Sequence, residues 1–238
     1  MRADTTFETI SMVKPDRRSV GLMLTSELVK QGYELIDDQD SFVVRRKLSS
    51  EANLLVSFGP YETAFPSGIQ VDVGLGLQYP DLQRLWNRLI EYQPEEPTTS
   101  WSVMSASAKQ WCTDSERSNW FYPKRHDLNL DSTTRAILEA VQDRGLPHCA
   151  GLELISALPT ACVQDSESRW SCDRSFLLPV ALCMIGKSDE AKQQAEAFLH
   201  HLETAPREPN PMYLDSYRRF VTNIAALALA CVGAGVKS

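Results

Sequence analysis

Residues 69–78 read IQVDVGLGLQ, and they form the clearest strand pattern in the chain. Apolar residues alternate here with polar residues or glycine, which is the pattern of a β-strand with one buried face and one exposed face. Three further strand candidates precede it, at 33–36, 41–48 and 53–58. Because short turns join them, we expect neighbouring strands to run antiparallel, since parallel strands need a long crossover connection.

Glycines and prolines divide this first region into elements. Gly59-Pro60 and the stretch 65–68, FPSG, are expected to bracket a loop between the third and the fourth strand. Apolar residues at helical spacing predict a helix before the first strand, with Gly32 at its end, and a second helix that begins at Pro80. We therefore expect residues 1–100 to form a sheet-plus-helix part.

The second half of the chain has a different pattern. Residues 101–130 look irregular but contain three tryptophans, and we expect this aromatic-rich connecting segment to pack on the core. From 131 to 238 helical spacing dominates, with helix ends expected at Gly145-Leu146-Pro147 and at Gly186, and a final helix beginning at Asn210-Pro211. The sequence thus predicts an α+β fold, a small antiparallel sheet with flanking helices followed by a helical C-terminal region, in one cooperative unit.

The composition is that of an average globular protein, with 43% apolar and 23% charged residues. It excludes a disordered chain, a fibrous repeat and a small disulfide-stapled domain. No apolar stretch follows the early Arg2, and the most apolar window, 224–232, is shorter than the roughly 20 residues of a membrane-spanning helix. Six cysteines without a CxxC pair are typical of a reducing compartment. We therefore expect a cytoplasmic protein that does not bind membranes.

The sequence contains no complete catalytic or metal-binding signature. His148 and Cys149 are adjacent, and direct neighbours rarely point at each other as a nucleophilic pair must. His200 and His201 are adjacent as well, whereas metal-binding histidines on a helix are three or four residues apart. We accordingly expect a protein that is not an enzyme and that holds no metal and no cofactor.

The net charge of −7 disfavours nucleic acid as a partner and favours a basic protein. Two acidic clusters are candidate contact sites for such a partner, the first at the turn between the first two strand candidates and the second beside a tryptophan. Their members are Glu34, Asp37, Asp38 and Asp40 in the first, and Asp165, Glu167 and Trp170 in the second. A surface that merely keeps the protein in solution is the alternative explanation.

The order of segments resembles a known protein family. The stretches that carry the resemblance are LVKQGY (28–33), Phe42 with Arg45, GLQYP (76–80), GLP (145–147) and IGKSDEA (185–191). Over about residues 20–202 the chain is similar to a bacterial domain-of-unknown-function group found among the immunity proteins of polymorphic toxins. The resemblance implies a cytoplasmic protein that neutralises a cognate antibacterial toxin by masking it, and it implies no active site.

These observations lead to one hypothesis and two alternatives. The hypothesis is a non-enzymatic immunity protein that binds a cognate toxin or effector protein, which is itself basic. The first alternative is an enzyme, for example a hydrolase whose catalytic acids are dispersed along the chain. The second is a helical adaptor or scaffold in another complex. A deep pocket with convergent ionisable groups would favour the enzyme, and a flat or grooved acidic face would favour the binding protein.

Overall fold

An antiparallel sheet forms the first part of the molecule. The computed structural model describes residues 16–37, 42–91, 102–123, 130–164, 170–205 and 209–235. The strands are β1 (Glu34–Asp37), β2 (Phe42–Lys47), β3 (Asn53–Thr63), β4 (Gly68–Gln78), β5 (Met104–Ser107) and β6 (Phe121–Pro123). Their order is β1-β2-β3-β4-β5, and β6 also pairs with β4. Every pair is antiparallel, as the alternation and the short turns predict.

The β3–β4 hairpin is longer than the sequence suggests. Gly59 and Pro60 do not begin a loop but lie within β3, and the turn is confined to residues 64–67. Pro60 fits in the strand because β2 pairs with β3 only as far as Phe58, so no strand among the described residues needs an amide donor from Pro60. Its carbonyl accepts a hydrogen bond from Arg17 Nε at 2.9 Å instead. The expected boundary of the loop at Gly59-Pro60 was therefore wrong.

Helices flank the sheet and make up the C-terminal region, which confirms the α+β class. The helices are α1 (Arg17–Lys30), α2 (Pro80–Leu89), α3 (Asp114–Ser118), α4 (Leu130–Ala140), α5 (Leu146–His148), α6 (Leu158–Gln164), α7 (Arg174–Met184), α8 (Ser188–Thr204) and α9 (Pro211–Gly235). Gly32 and Gly186, just past the ends of α1 and α7, have φ angles of 90° and 80°. This left-handed conformation favours glycine, and both predicted helix ends are confirmed.

The predicted helix end at Gly145-Leu146-Pro147 was wrong. After α4 the chain continues through a π turn (Val141–Gly145) directly into α5, so the backbone stays helical from 130 to 148. In this turn the Leu146 amide reaches back to the carbonyl of Val141. Pro147 comes immediately after this change of hydrogen-bond register, where a missing amide donor costs little.

Residues 102–123, the described part of the predicted connecting segment, contain short strands and helices rather than an irregular chain. β5 pairs with the C-terminal half of β4, and β6 pairs with its N-terminal end. Trp111, Trp120 and Tyr122 of this segment are buried. Strands of four and three residues carry too little alternation to be recognised in the sequence.

One hydrophobic core runs through both parts of the molecule. It extends from Val20 on α1, through the buried residues of β3 and β4, to Ile224 on α9. Within the part of the chain that the structure describes, no helix is both long enough and apolar enough to span a bilayer.

Candidate functional site

Two grooves flank α4 and the π turn that follows it. The α1–α4 groove has a volume of about 410 Å³ and is lined by Met23, Glu27, Gln31, Thr134, Arg135, Leu138, Glu139, Gln142 and Asp143. The α3–α4 groove has a volume of about 490 Å³ and is lined by Glu116, Asn119, Trp120, Ala136, Glu139, Ala140, Asp143 and Arg144. Glu139 and Asp143 line both grooves, so they form the ridge between them.

The buried face of α4 sets the position of this ridge. Ile137 and Val141 are four residues apart and fully buried. Gly145 comes four residues later, and a Cβ atom built there would lie only 3.3 Å from Leu75 Cδ1 of β4. This close approach anchors the π turn on the sheet. Between these positions, Glu139 and Asp143 are exposed.

Most of the charged residues that line the two grooves are acidic. Among the described residues that line them, four are carboxylates and two are arginines: Glu27, Glu116, Glu139, Asp143, Arg135 and Arg144. Arg144 Nε lies 3.3 Å from Glu116 Oε1, and Lys30 Nζ lies 2.5 Å from Glu27 Oε1, so two of these negative charges are partly compensated. The ridge therefore presents an excess of negative charge to both sides.

Glu116 is held in its ionised form by local hydrogen bonds. The backbone amide and the side-chain hydroxyl of Thr113 both donate to Glu116 Oε2, each at 2.8 Å. These bonds, together with the guanidinium of Arg144, lower the pKa of Glu116 below its ordinary value. Its carboxylate is an acceptor that caps α3, and it attracts positive charge in the α3–α4 groove.

The α1–α4 groove combines an apolar floor with a polar rim. Met23 and Leu138 are half-buried and pack against the core. Thr134 lies beneath them, and its hydroxyl is 3.0 Å from that of Tyr122. At one end Gln142 Nε2 donates to Gln31 Oε1 at 2.9 Å and bridges the two helices. Such a groove fits a side chain with an apolar stem and a positively charged end.

The structure describes only part of the first predicted acidic cluster. Glu34 lies opposite Arg45 on β2, and Arg45 Nη2 donates to Glu34 Oε2 at 2.6 Å. Because of this ion pair, Glu34 contributes less negative potential than the sequence suggests. Asp37 ends β1. Asp38 and Asp40 lie outside the described residues.

Of the second predicted cluster, the structure describes only Trp170. Asp165 and Glu167 lie outside the described residues. The structure places Trp170 in the core rather than on an exposed face, because only 5% of its surface is accessible. Its ring centroid lies 4.9 Å from that of His148, so Trp170 packs against α5.

Sequence reasoning did not identify the groove residues. The sequence does carry a pattern here, because Arg135 and Glu139 on α4 and Gln142 in the π turn are spaced at i, i+4 and i+7, the spacing of one helix face. The other wall of the groove is on α1, and Gln31 precedes Gln142 by 111 residues. Only the tertiary structure brings these two walls together.

Among the described residues, no three histidine, cysteine or carboxylate side chains are arranged to share a metal ion. Comparison of the chain with models of known families, with curated proteins and with solved structures gives no match.

Proposed function

We propose that this protein is a non-enzymatic binding protein that neutralises a basic toxin or effector protein in the cytoplasm by covering it, which is an immunity function. The observation that carries the proposal is the pair of acidic grooves that share Glu139 and Asp143. They form a grooved acidic face, the kind of surface that favours a binding protein over an enzyme with one deep pocket.

The make-up of the α1–α4 groove supports contact with another protein. Protein interfaces combine an apolar centre with a polar rim, and arginine is enriched in them. Here Met23 and Leu138 supply the apolar contact, and Glu139 and Asp143 supply charge that complements a lysine or arginine of the partner. The net charge of −7 adds a long-range attraction that raises the association rate.

A carboxyl group that acts as a general acid in a hydrolase needs a pKa raised toward neutral pH. The pKa of Glu116 is shifted in the opposite direction, below its ordinary value, by the hydrogen bonds from Thr113. This carboxylate is therefore suited to electrostatic attraction and unsuited to general acid catalysis.

The adaptor alternative predicts binding without any effect on the activity of the partner.

The test is co-expression in a bacterial host with the product of the neighbouring open reading frame, with host survival as the readout. We expect survival only when this chain is present and a stable complex of the two proteins on purification. A toxic product against which this chain neither protects nor forms a complex would contradict the proposal. A complex without protection would favour the adaptor.

A pair of variants relates protection to the grooves. Glu139→Gln with Asp143→Asn removes two charges from the ridge, and we expect it to weaken protection. Glu196→Gln with Asp215→Asn removes two charges from α8 and α9, which line neither groove. This control should protect like the wild type. Equal protection by both variants would exclude the ridge as the contact surface.

A further inference from the structure

The tip of the β3–β4 hairpin presents an aromatic side chain to solvent. Phe65 lies in the turn between the two strands, and 97% of its surface is accessible. Among the described residues, every other phenylalanine and every tryptophan is buried or half-buried. A phenyl ring that stays in water gains none of the stabilisation that burial gives, so Phe65 contributes little to the stability of the fold. Its ring is available for burial against another molecule.

The hairpin holds this ring on a defined backbone. β3 and β4 stay in register up to the pair of Thr63 with Gly68, next to the turn. The Thr63 hydroxyl donates to the carbonyl of Pro66 at 2.6 Å and closes the turn. On the other side of β4, β6 pairs with the strand from Gly68 onwards. A ring on such a backbone loses less conformational entropy on binding than a ring on a flexible loop.

Both walls of the α1–α4 groove begin beside this hairpin. Arg17, the first residue of α1, donates through Nε to the carbonyl of Pro60 on β3 at 2.9 Å. Near the start of α4, the Thr133 hydroxyl donates to the carbonyl of Phe121 on β6 at 3.4 Å. The first turns of the two helices are therefore attached to the same end of the sheet.

From there the two walls run side by side in the same direction. Near the hairpin, the Thr134 hydroxyl donates to Met23 Sδ at 3.6 Å. Eight residues further along both segments, Gln142 Nε2 donates to Gln31 Oε1. The groove thus extends from the neighbourhood of the hairpin to the bridge between Gln31 and Gln142.

Tyr122 connects the root of the hairpin tip with the groove. Its carbonyl oxygen lies 2.4 Å from the position of a Cβ atom at Gly68, and its hydroxyl lies 3.0 Å from that of Thr134. Phe65 is three residues from Gly68, so the two Cα atoms are at most about 11 Å apart. An interface of ordinary size covers about 800 Å² of each partner, a patch about 30 Å across. One partner is therefore large enough to contact both the hairpin tip and the groove.

We propose that Phe65 is an aromatic anchor, which enters an apolar pocket beside the basic surface of the partner that binds the groove. The proposal rests on the proposed function, because it concerns the same partner. Protein interfaces obtain most of their affinity from a few side chains, often aromatic, that are buried within a wider polar contact. In this chain the acidic ridge supplies the polar contact, and Phe65 supplies the ring.

A lipid bilayer is the other apolar environment that an exposed phenylalanine enters. The net charge of −7 opposes contact with an anionic bilayer. A single ring also buries far less apolar area than a stable membrane anchor needs. In a protein complex, by contrast, the ring adds to the contacts of the groove. These observations favour a protein partner.

The first test measures binding to the product of the neighbouring open reading frame by surface plasmon resonance. We expect Phe65→Ala to raise the dissociation rate at least about tenfold and to leave the association rate nearly unchanged, because a buried anchor determines the lifetime of a complex. Met212→Ala is the matched control. It removes a side chain that is 76% exposed on α9 and lines neither groove, so it should bind like the wild type.

The second test is hydrogen–deuterium exchange of the wild-type chain, alone and in the complex. We expect slower exchange in the peptides that cover residues 64–67 when the partner is bound. A wild-type dissociation rate in Phe65→Ala, or an unprotected turn, would overturn the anchor, and host protection by the wild type would then leave the binding function standing. A wild-type chain that does not bind the toxic product would contradict the proposed function and the anchor together. Phe65-dependent sedimentation with vesicles of phosphatidylcholine and phosphatidylglycerol would favour the bilayer and also overturn the anchor.

Discussion

Trp86 on α2 stacks on Phe176 on α7, with ring centroids 5.5 Å apart and ring planes inclined by 20°. The edge of the same Phe176 ring meets Tyr217 and Phe220 on α9. Because α2 directly follows the central strand β4, these rings connect the sheet with the C-terminal helices. Each half of the molecule completes the core of the other.

We expect Phe176→Ala to lower the free energy of unfolding by about 3–5 kcal/mol, the usual cost of removing a buried aromatic ring. The loss should appear in a single transition, because the ring belongs to the core that both halves share. Urea unfolding followed by both circular dichroism and tryptophan fluorescence measures it. Two separate transitions would contradict the expectation of one cooperative unit.

Phe198→Ala is the matched control for that substitution. Phe198 on α8 is half-buried, and its ring lies 5.1 Å from that of Tyr217. Removing a partly exposed ring removes less buried apolar surface, so we expect the free energy of unfolding to fall by less than about 2 kcal/mol. A loss equal to that of Phe176→Ala would show that α8 is packed more tightly than its exposure indicates.

Gly68→Ala and Gly59→Ala should have different effects, although both glycines lie in the same hairpin. A Cβ atom at Gly68 would lie 2.4 Å from the carbonyl oxygen of Tyr122, so β6 would have to move away from β4. At Gly59 the nearest atom, Asp72 Cβ, is 3.8 Å away. We expect Gly68→Ala to cost about 1–3 kcal/mol in thermal or urea unfolding and Gly59→Ala to be nearly neutral. Equal costs would contradict the close contact of β6 with Gly68.

The stability of the protein should fall in alkaline solution. Burial raises the pKa of Tyr122 to about 12, whereas a tyrosine in the unfolded chain titrates at about 10. Above pH 10 the unfolded state loses this proton while the folded state retains it, so the stability falls as pH rises from about 10 to 12. Each such tyrosine contributes a slope of up to about 1.4 kcal/mol per pH unit.

Tyr79 and Tyr217 add to the same effect, since burial raises the pKa of each. Urea midpoints of the wild type and of Tyr122→Phe, measured from pH 9 to about pH 11, isolate the contribution of Tyr122. We expect the variant to lose stability less steeply above pH 10. Parallel curves for the two proteins would mean that Tyr122 ionises as readily in the folded chain as in the unfolded chain.

Charges on the groove ridge should act mainly on the rate of association with a basic partner. Glu139→Gln with Asp143→Asn should lower that rate and flatten its dependence on salt, because exposed charges steer encounter and are screened by ions. The Glu196→Gln, Asp215→Asn control has the same net charge and should retain the wild-type rate more closely. Surface plasmon resonance at two salt concentrations, with the partner identified by co-expression, measures both. An unchanged association rate in the ridge variant would place the contact elsewhere.

The strands β1 to β4 were largely predictable from the sequence, whereas β5, β6 and the two grooves were not. In β4 the apolar residues that alternate from Ile69 to Leu77 are the buried ones, because one face of the strand contacts the core. β5 and β6 owe their conformation to pairing with β4, a long-range effect without a local pattern. The π turn could not be predicted from the local sequence either. Gly145 and Pro147 locally favour a helix end, and the contact of Gly145 with Leu75 outweighs that preference.

The two edges of the sheet limit self-association in different ways. On one side β5 and β6 cover β4, and Ser171 bridges the outer side of β5. On the other side no described strand lies beyond β1, which is only four residues long and has a register shift between Leu35 and Asp37. A short, irregular edge offers a strand from another copy few aligned backbone groups. The β1 edge therefore disfavours pairing with a strand of another copy, even though Leu35 on β1 is exposed.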